Sequence, residues 1–156
     1  VHHSYVKKAN STVKEFVNRV KLVHGMNKPN VSEISDRFDA LASELEHHMH
    51  KEEMILFPYI KELVKAKREN KTVSAPFGSI QNPIAMMLHE HDDAGNELEM
   101  IQKLTEDYTP PKGACSTHQV SYKQLEEYAN DLMRHIHLEN NILFPRILEL
   151  EKSLNA

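Results

Sequence analysis

His48-Met49-His50-Lys51-Glu52-Glu53-Met54-Ile55-Leu56-Phe57-Pro58 is written twice in this chain. The second copy is His135-Ile136-His137-Leu138-Glu139-Asn140-Asn141-Ile142-Leu143-Phe144-Pro145. Both read H-x-H-x-E-x-x-I-L-F-P. Both continue with Ile two residues past the proline, then with Glu62-Leu63 and Glu149-Leu150. A proline-bearing run of this similarity is an internal repeat, and its polar members have metal-ligand chemistry.

Taken as helices, residues four apart share a face. His48 and Glu52 then point one way, as do His135 and Glu139. Ile34, Phe38, Leu41, Leu45, His48, Glu52, Ile55 and Tyr59 step by three and four, which is one apolar stripe. Leu125, Tyr128, Leu132, His135, Glu139 and Ile142 form the matching stripe. Each inward face thus carries an imidazole and a carboxylate. A buried carboxylate costs several kcal/mol unless paired or ligated. One such pair reads as a core histidine bonded to a glutamate. Two at matched positions point to a shared, highly charged partner.

The 156 residues allow one domain with a full core, and 40% hydrophobic content with only 4 Gly and no Trp suits helices. Apolar runs are too short to span a membrane. Nineteen basic and 23 acidic residues are interspersed, which argues against nucleic acid and anionic lipid as partners. One cysteine, Cys115, excludes an internal disulfide and any multi-cysteine metal site. The expected location is the cytoplasm.

Four helices are expected: 1–23, 31 to about 69, 83 to about 107, and 117 to about 154. Gly25 and Pro29 stop the first. Asn30 with Glu33, and Ser116 with Gln119, read as capping boxes. Asn82-Pro83 reads as a cap followed by proline at the first helical position. Pro58 and Pro145 should kink or break their helices locally. Ile84, Met87, Leu88, His91, Leu98, Ile101 and Leu104 should face inward. Short connections make an up-down-up-down four-helix bundle. His3 and His48 are 45 positions apart, and His91 and His135 are 44 apart. Counted from the turns, all four lie within about one helical turn of a common level.

The candidate ligands are therefore His3, His48, Glu52, His91, His135 and Glu139. Four imidazoles and two carboxylates exceed one tetrahedral zinc. They suit two first-row ions bridged by the glutamates, with iron favoured and manganese or zinc as substitutes. A solvent-derived oxo or hydroxo bridge would leave open positions for small diatomics. His47, His50, His89 and His137 fall off the stripes, and His118, near a helix start, is expected at the surface. His24 lies roughly 30 Å along a straight helix from His3 and is left out. No catalytic side chain is assigned. A ferritin-like oxidase needs Glu-x-x-His on two helices, and only Glu44–His47 fits.

At this point the sequence resembles the hemerythrin-like domain of the repair-of-iron-centres (RIC) di-iron proteins, the ScdA/YtfE type. Besides the repeat, the resemblance rests on His2-His3-Ser4-Tyr5, Glu90-His91-Asp92-Asp93-Ala94-Gly95 and Tyr108-Thr109-Pro110-Pro111. It covers nearly the whole chain, and the family's di-iron ligands fall on the same six residues. It implies a stress protein that restores iron–sulfur clusters damaged by nitric oxide or oxidants. Its partners would be NO, O2 and damaged iron–sulfur proteins, and a homodimer is compatible. The alternative is a reversible O2/NO sensor or carrier. Oxygen carriers, however, place a second histidine one turn from His91, where this chain has Gly95 and Met87. The family's N-terminal domain with its cysteine pair has no counterpart in residues 1–156.

Overall fold

The computed structural model describes residues 2–155. It contains α1 (His2–His24), α2 (Pro29–Lys51), α3 (Phe57–Glu69), α4 (Gln81–Leu104), α5 (Ser116–Leu138) and α6 (Phe144–Leu154). Two π-helical turns, Glu52–Leu56 and Glu139–Leu143, join α2 to α3 and α5 to α6. Among the described residues there are thus four helical rods in up-down-up-down order, and the only β-type pairing is an isolated bridge between Ala75 and Gly78. The expected all-α class is correct. Among the described residues no helix is long and apolar enough to cross a membrane.

The chain divides into two compact units. The first comprises the residues through Glu46 with Asp93–Arg134. Its core is the valine stripe of α1 (Val6, Val13, Val17, Val20) with Ile34, Phe38, Leu41, Leu98, Ile101, Leu125 and Tyr128. Asn18 with Ser35 and Asn10 with Ala42 fix α1 antiparallel to α2. The Tyr128 hydroxyl donates to Asn10 Oδ1 at 2.6 Å, which satisfies two buried polar groups together.

The second unit comprises His47–Asp92 and the residues from His135 onward. Leu56, Tyr59, Leu63, Ile80, Ile84, Met87, Phe144 and Ile147 form its core. Buried Glu151 accepts from the Tyr59 hydroxyl, the Ser79 hydroxyl and the Ile80 N–H, tying the 70–80 loop to α6.

Several boundaries differ from expectation. α2 starts at Pro29, one residue before Asn30, because a proline at the first helical position sacrifices no needed N–H. α4 starts at Gln81, whose N–H is received by Ser79 Oγ; Pro83 sits inside the first turn. α5 starts at Ser116, so Cys115 holds the capping position and its carbonyl accepts from Gln119. α4 stops at Leu104, before a left-handed run at Glu106, Asp107 and Tyr108 (φ 50°, 58° and 58°). Leu88 is exposed rather than inward.

The repeats depart from unbroken α-helical spacing. The three-and-four spacing predicts Ile55 and Ile142 on the inward stripes, yet both are exposed, at 47% and 42%. Leu56 and Phe144 are buried instead. Each π turn inserts one residue into the helical count. Phe57 N–H bonds to the Glu52 carbonyl, and Phe144 N–H to the Glu139 carbonyl. Pro58 and Pro145 follow immediately. Their missing donors and bulky rings are accommodated by the wider turn, so neither breaks its rod.

Candidate metal centre

Five of the six candidate ligands lie in the second unit. His48 is one turn from the end of α2, and Glu52 opens the π turn that follows. His91 comes from α4. His135 and Glu139 repeat the first arrangement on α5 and its π turn. The widened turns place each glutamate at the seam between two helical registers, with Glu52 fully buried and Glu139 only 3% exposed. His3 lies on α1 in the first unit and is half-buried.

The polar atoms converge closely. His48 Nε2 is 3.2 Å from Glu52 Oε1, and His91 Nε2 is 3.0 Å from Glu139 Oε2. The other oxygen of Glu139, Oε1, is 3.0 Å from His135 Nε2. One carboxylate therefore faces histidines from two different helices with its two oxygens. Ligand atoms of His48, Glu52, His91 and Glu139 all lie within 4.8 Å of one another. Glu52 and His135 also offer atoms within that distance.

The outer ring nitrogens explain why this arrangement needs positive charge. His48 Nδ1 faces Glu90 Oε2 at 2.7 Å, and His91 Nδ1 faces Asn140 Oδ1 at 2.6 Å. Carboxylate and amide oxygens only accept, so each Nδ1 carries a proton. In the neutral ring this leaves a lone pair on Nε2. The two Nε2 atoms face each other at 3.1 Å, beside two carboxylates. Lone pairs and negative charge then converge in a buried space, which is unfavourable without a cation.

The electrostatics agree. Burial pushes the His48 imidazole down, but bonds to Glu52 and Glu90 outweigh it and hold the ring above its usual value. Burial works to raise Glu139, yet His135 and His91 hold its carboxyl far below the usual range. The centre thus collects positive charge, either as protons or as metal cations competing for the same lone pairs. Imidazole nitrogen and carboxylate oxygen are the donors that first-row divalent metals accept, so the residues present fit such ions.

Around the donors sit residues that sequence reasoning missed. Glu90 orients His48 and is itself paired with Lys51; Lys51 and His48 hold its carboxyl low against the effect of burial. Asn140 orients His91, and the Phe144 ring stacks on His91 at 5.7 Å. Glu90 neighbours His91 in sequence but serves His48, a pairing across helices that no periodicity announces. His47, His50, His89 and His137 are exposed, as expected of positions off the stripes. His118 is not at the surface. It is fully buried in the first unit, stacked on His24 and edge-on to Tyr122.

Comparison with known proteins places this geometry. Three relatives are each named iron-sulfur cluster repair protein YtfE. The one from Pectobacterium carotovorum is 43% identical over 118 residues, covering 76% of this chain and 48% of the relative. That from Dickeya chrysanthemi is 44% identical with the same coverage. That from Yersinia pseudotuberculosis is 40% identical over 133 residues, covering 85% and 55%. The chain spans about half the length of these curated relatives. Residues 1–147 match the family model described as the hemerythrin HHE cation binding domain. The repeated His-x-x-x-Glu pairs, the buried carboxylates and this match together make the chain a member of the hemerythrin HHE cation-binding family.

Proposed function

We propose that the chain is a non-haem di-iron protein that serves the repair of iron–sulfur clusters damaged by nitric oxide or oxidants, as part of a cytoplasmic stress response. His3, His48, Glu52, His91, His135 and Glu139 would hold the two ions, and manganese or zinc would substitute for iron. The observation that carries this reading is Glu139, whose two oxygens face His91 and His135 on different helices. The names of the three relatives support the same role.

Bound iron would supply redox chemistry and open coordination positions for NO and O2. The side chains govern its retention. No macrocycle is needed to explain the donor set, so the hold on iron depends on histidine lone pairs and carboxylate charge. Glu90 and Asn140 keep the Nδ1 protons in place and leave each Nε2 turned inward. Proton uptake by His48 competes with metal at the same atom, so the chain yields cations as the site protonates. Iron leaving by that route is the cargo for a damaged cluster.

Elemental analysis of freshly purified protein should give about two irons per chain, with near-ultraviolet oxo-bridge absorption. Incubation with an apo-cluster acceptor should then move iron to the acceptor. A stable, reversible oxygenated species with no iron transfer would instead favour the carrier.

A further inference from the structure

The donors of the second unit do not form one evenly shared set. His48, Glu52, His91 and Glu139 each offer an atom within 4.8 Å of the other three, and all four are buried. His135 is not one of the four. It meets Glu139 at the other carboxylate oxygen, Oε1, at 3.0 Å. Two imidazoles and two carboxylates are a donor set that a first-row cation accepts. One cation can therefore be held by the buried four, while a second depends on His135.

Access and support separate the two positions further. The side chains of His48, Glu52, His91 and Glu139 are at most 5% exposed, whereas that of His135 is 15% exposed. Exchange of a metal between ligands needs an incoming donor to reach the ion as an old one lets go, so a donor set closed to solvent exchanges slowly. The buried rings are also pinned from behind. Swinging His48 off a cation breaks its bond to Glu90, and swinging His91 breaks its bond to Asn140. His91 must in addition leave the face of Phe144, whose ring lies 5.7 Å away and within 6° of parallel.

We infer that the two cations are held unequally: His48, Glu52, His91 and Glu139 retain theirs, and His135 holds the exchangeable one, which it surrenders first to an acceptor. The inference rests on the di-iron reading above and adds to it an order of release. His135 gives up the first equivalent by ligand exchange at neutral pH, and proton uptake at His48 governs only the second.

The test mixes the full chain, loaded anaerobically with ferrous iron, with excess chromogenic ferrous chelator at neutral pH and follows absorbance by stopped flow. Release should occur in two phases of about one iron each, with rates at least about tenfold apart. Asn140→Leu should speed the slow phase about tenfold or more and leave the fast phase unchanged. His135→Ala should abolish the fast phase and keep the slow equivalent. The parent chain and Asn140→Leu decide the matter even where His135→Ala does not fold. Release of both irons in a single phase overturns the inference and leaves the di-iron reading intact. So does a slow phase that Asn140→Leu leaves unchanged, or its loss in folded His135→Ala. A parent chain that takes up fewer than two irons removes the di-iron reading and this inference together.

Discussion

His48 Nε2 and His91 Nε2 point at each other across 3.1 Å, each ring fixed by an acceptor behind it. In the metal-free protein this contact persists only where protons occupy the gap. Removing metal by chelation should therefore lower the thermal midpoint, and adding ferrous iron should restore it. Glu139→Ala should abolish binding of at least one ion, because it deprives His91 and His135 together. Metal content and melting temperature equal to those of the parent protein would rule out this account.

The acceptors behind the two rings are not equivalent. His48 leans on a carboxylate that is also paired with Lys51, whereas His91 leans on a neutral amide. Replacing an outer partner of a ligating histidine typically costs 10–100-fold in metal affinity. Glu90→Leu and Asn140→Leu should each weaken metal binding by about that factor. Glu90→Leu should be the more damaging, since it also leaves Lys51 without its carboxylate. Competitive chelator titration measures both, and unchanged affinity in Glu90→Leu contradicts the role assigned to it.

The π turns give a test that separates register from composition. Ile55 is exposed and Leu56 is fully buried, the reverse of what unbroken α-helical spacing requires. Leu56→Ala should cost about 2–5 kcal/mol in denaturant unfolding. Ile55→Ser and Ile142→Ser should each stay within about 0.5 kcal/mol. A large loss in Ile55→Ser would mean that the helix runs uninterrupted through Glu52.

That reversal marks where the sequence stopped being legible. Both inward stripes, the four rods and the His-x-x-x-Glu pairs follow from a 3.6-residue period, and they are correct up to Glu52 and Glu139. Beyond each glutamate the period changes for one turn. Proline announces a disturbance, but a kink, a break and a π turn look alike in sequence. The orienting contacts of Glu90 and Asn140 are cross-helix pairings and have no sequence period at all. His118 differs from expectation for a related reason: closeness to a helix start suggests exposure, while its burial depends on His24 and Tyr122, brought to it by the fold.

The Glu151 network makes a pH-dependent prediction independent of metal. Tyr59 donates to Glu151 Oε2 at 2.9 Å, alongside the Ile80 N–H, and Ser79 donates to Oε1. Burial first, then Glu151 and Glu62, push the Tyr59 phenol up to about 12 from 10.0. Because the folded value lies above the unfolded one, the contribution is fully present below pH 10 and is lost as pH rises towards 12. Unfolding free energy should therefore fall across that window. Tyr108, also raised to about 12, contributes to the same decline, so Tyr59→Phe should make it shallower without abolishing it. At pH 7 the same variant should cost about 0.5–1.5 kcal/mol for the lost hydrogen bond. Glu151→Ala should cost more, since it strands three donors and loosens the 70–80 loop. Urea titrations at pH 8, 10 and 11 measure both effects; an alkaline slope identical in Tyr59→Phe and the parent would show that the Tyr59 proton is not linked to folding.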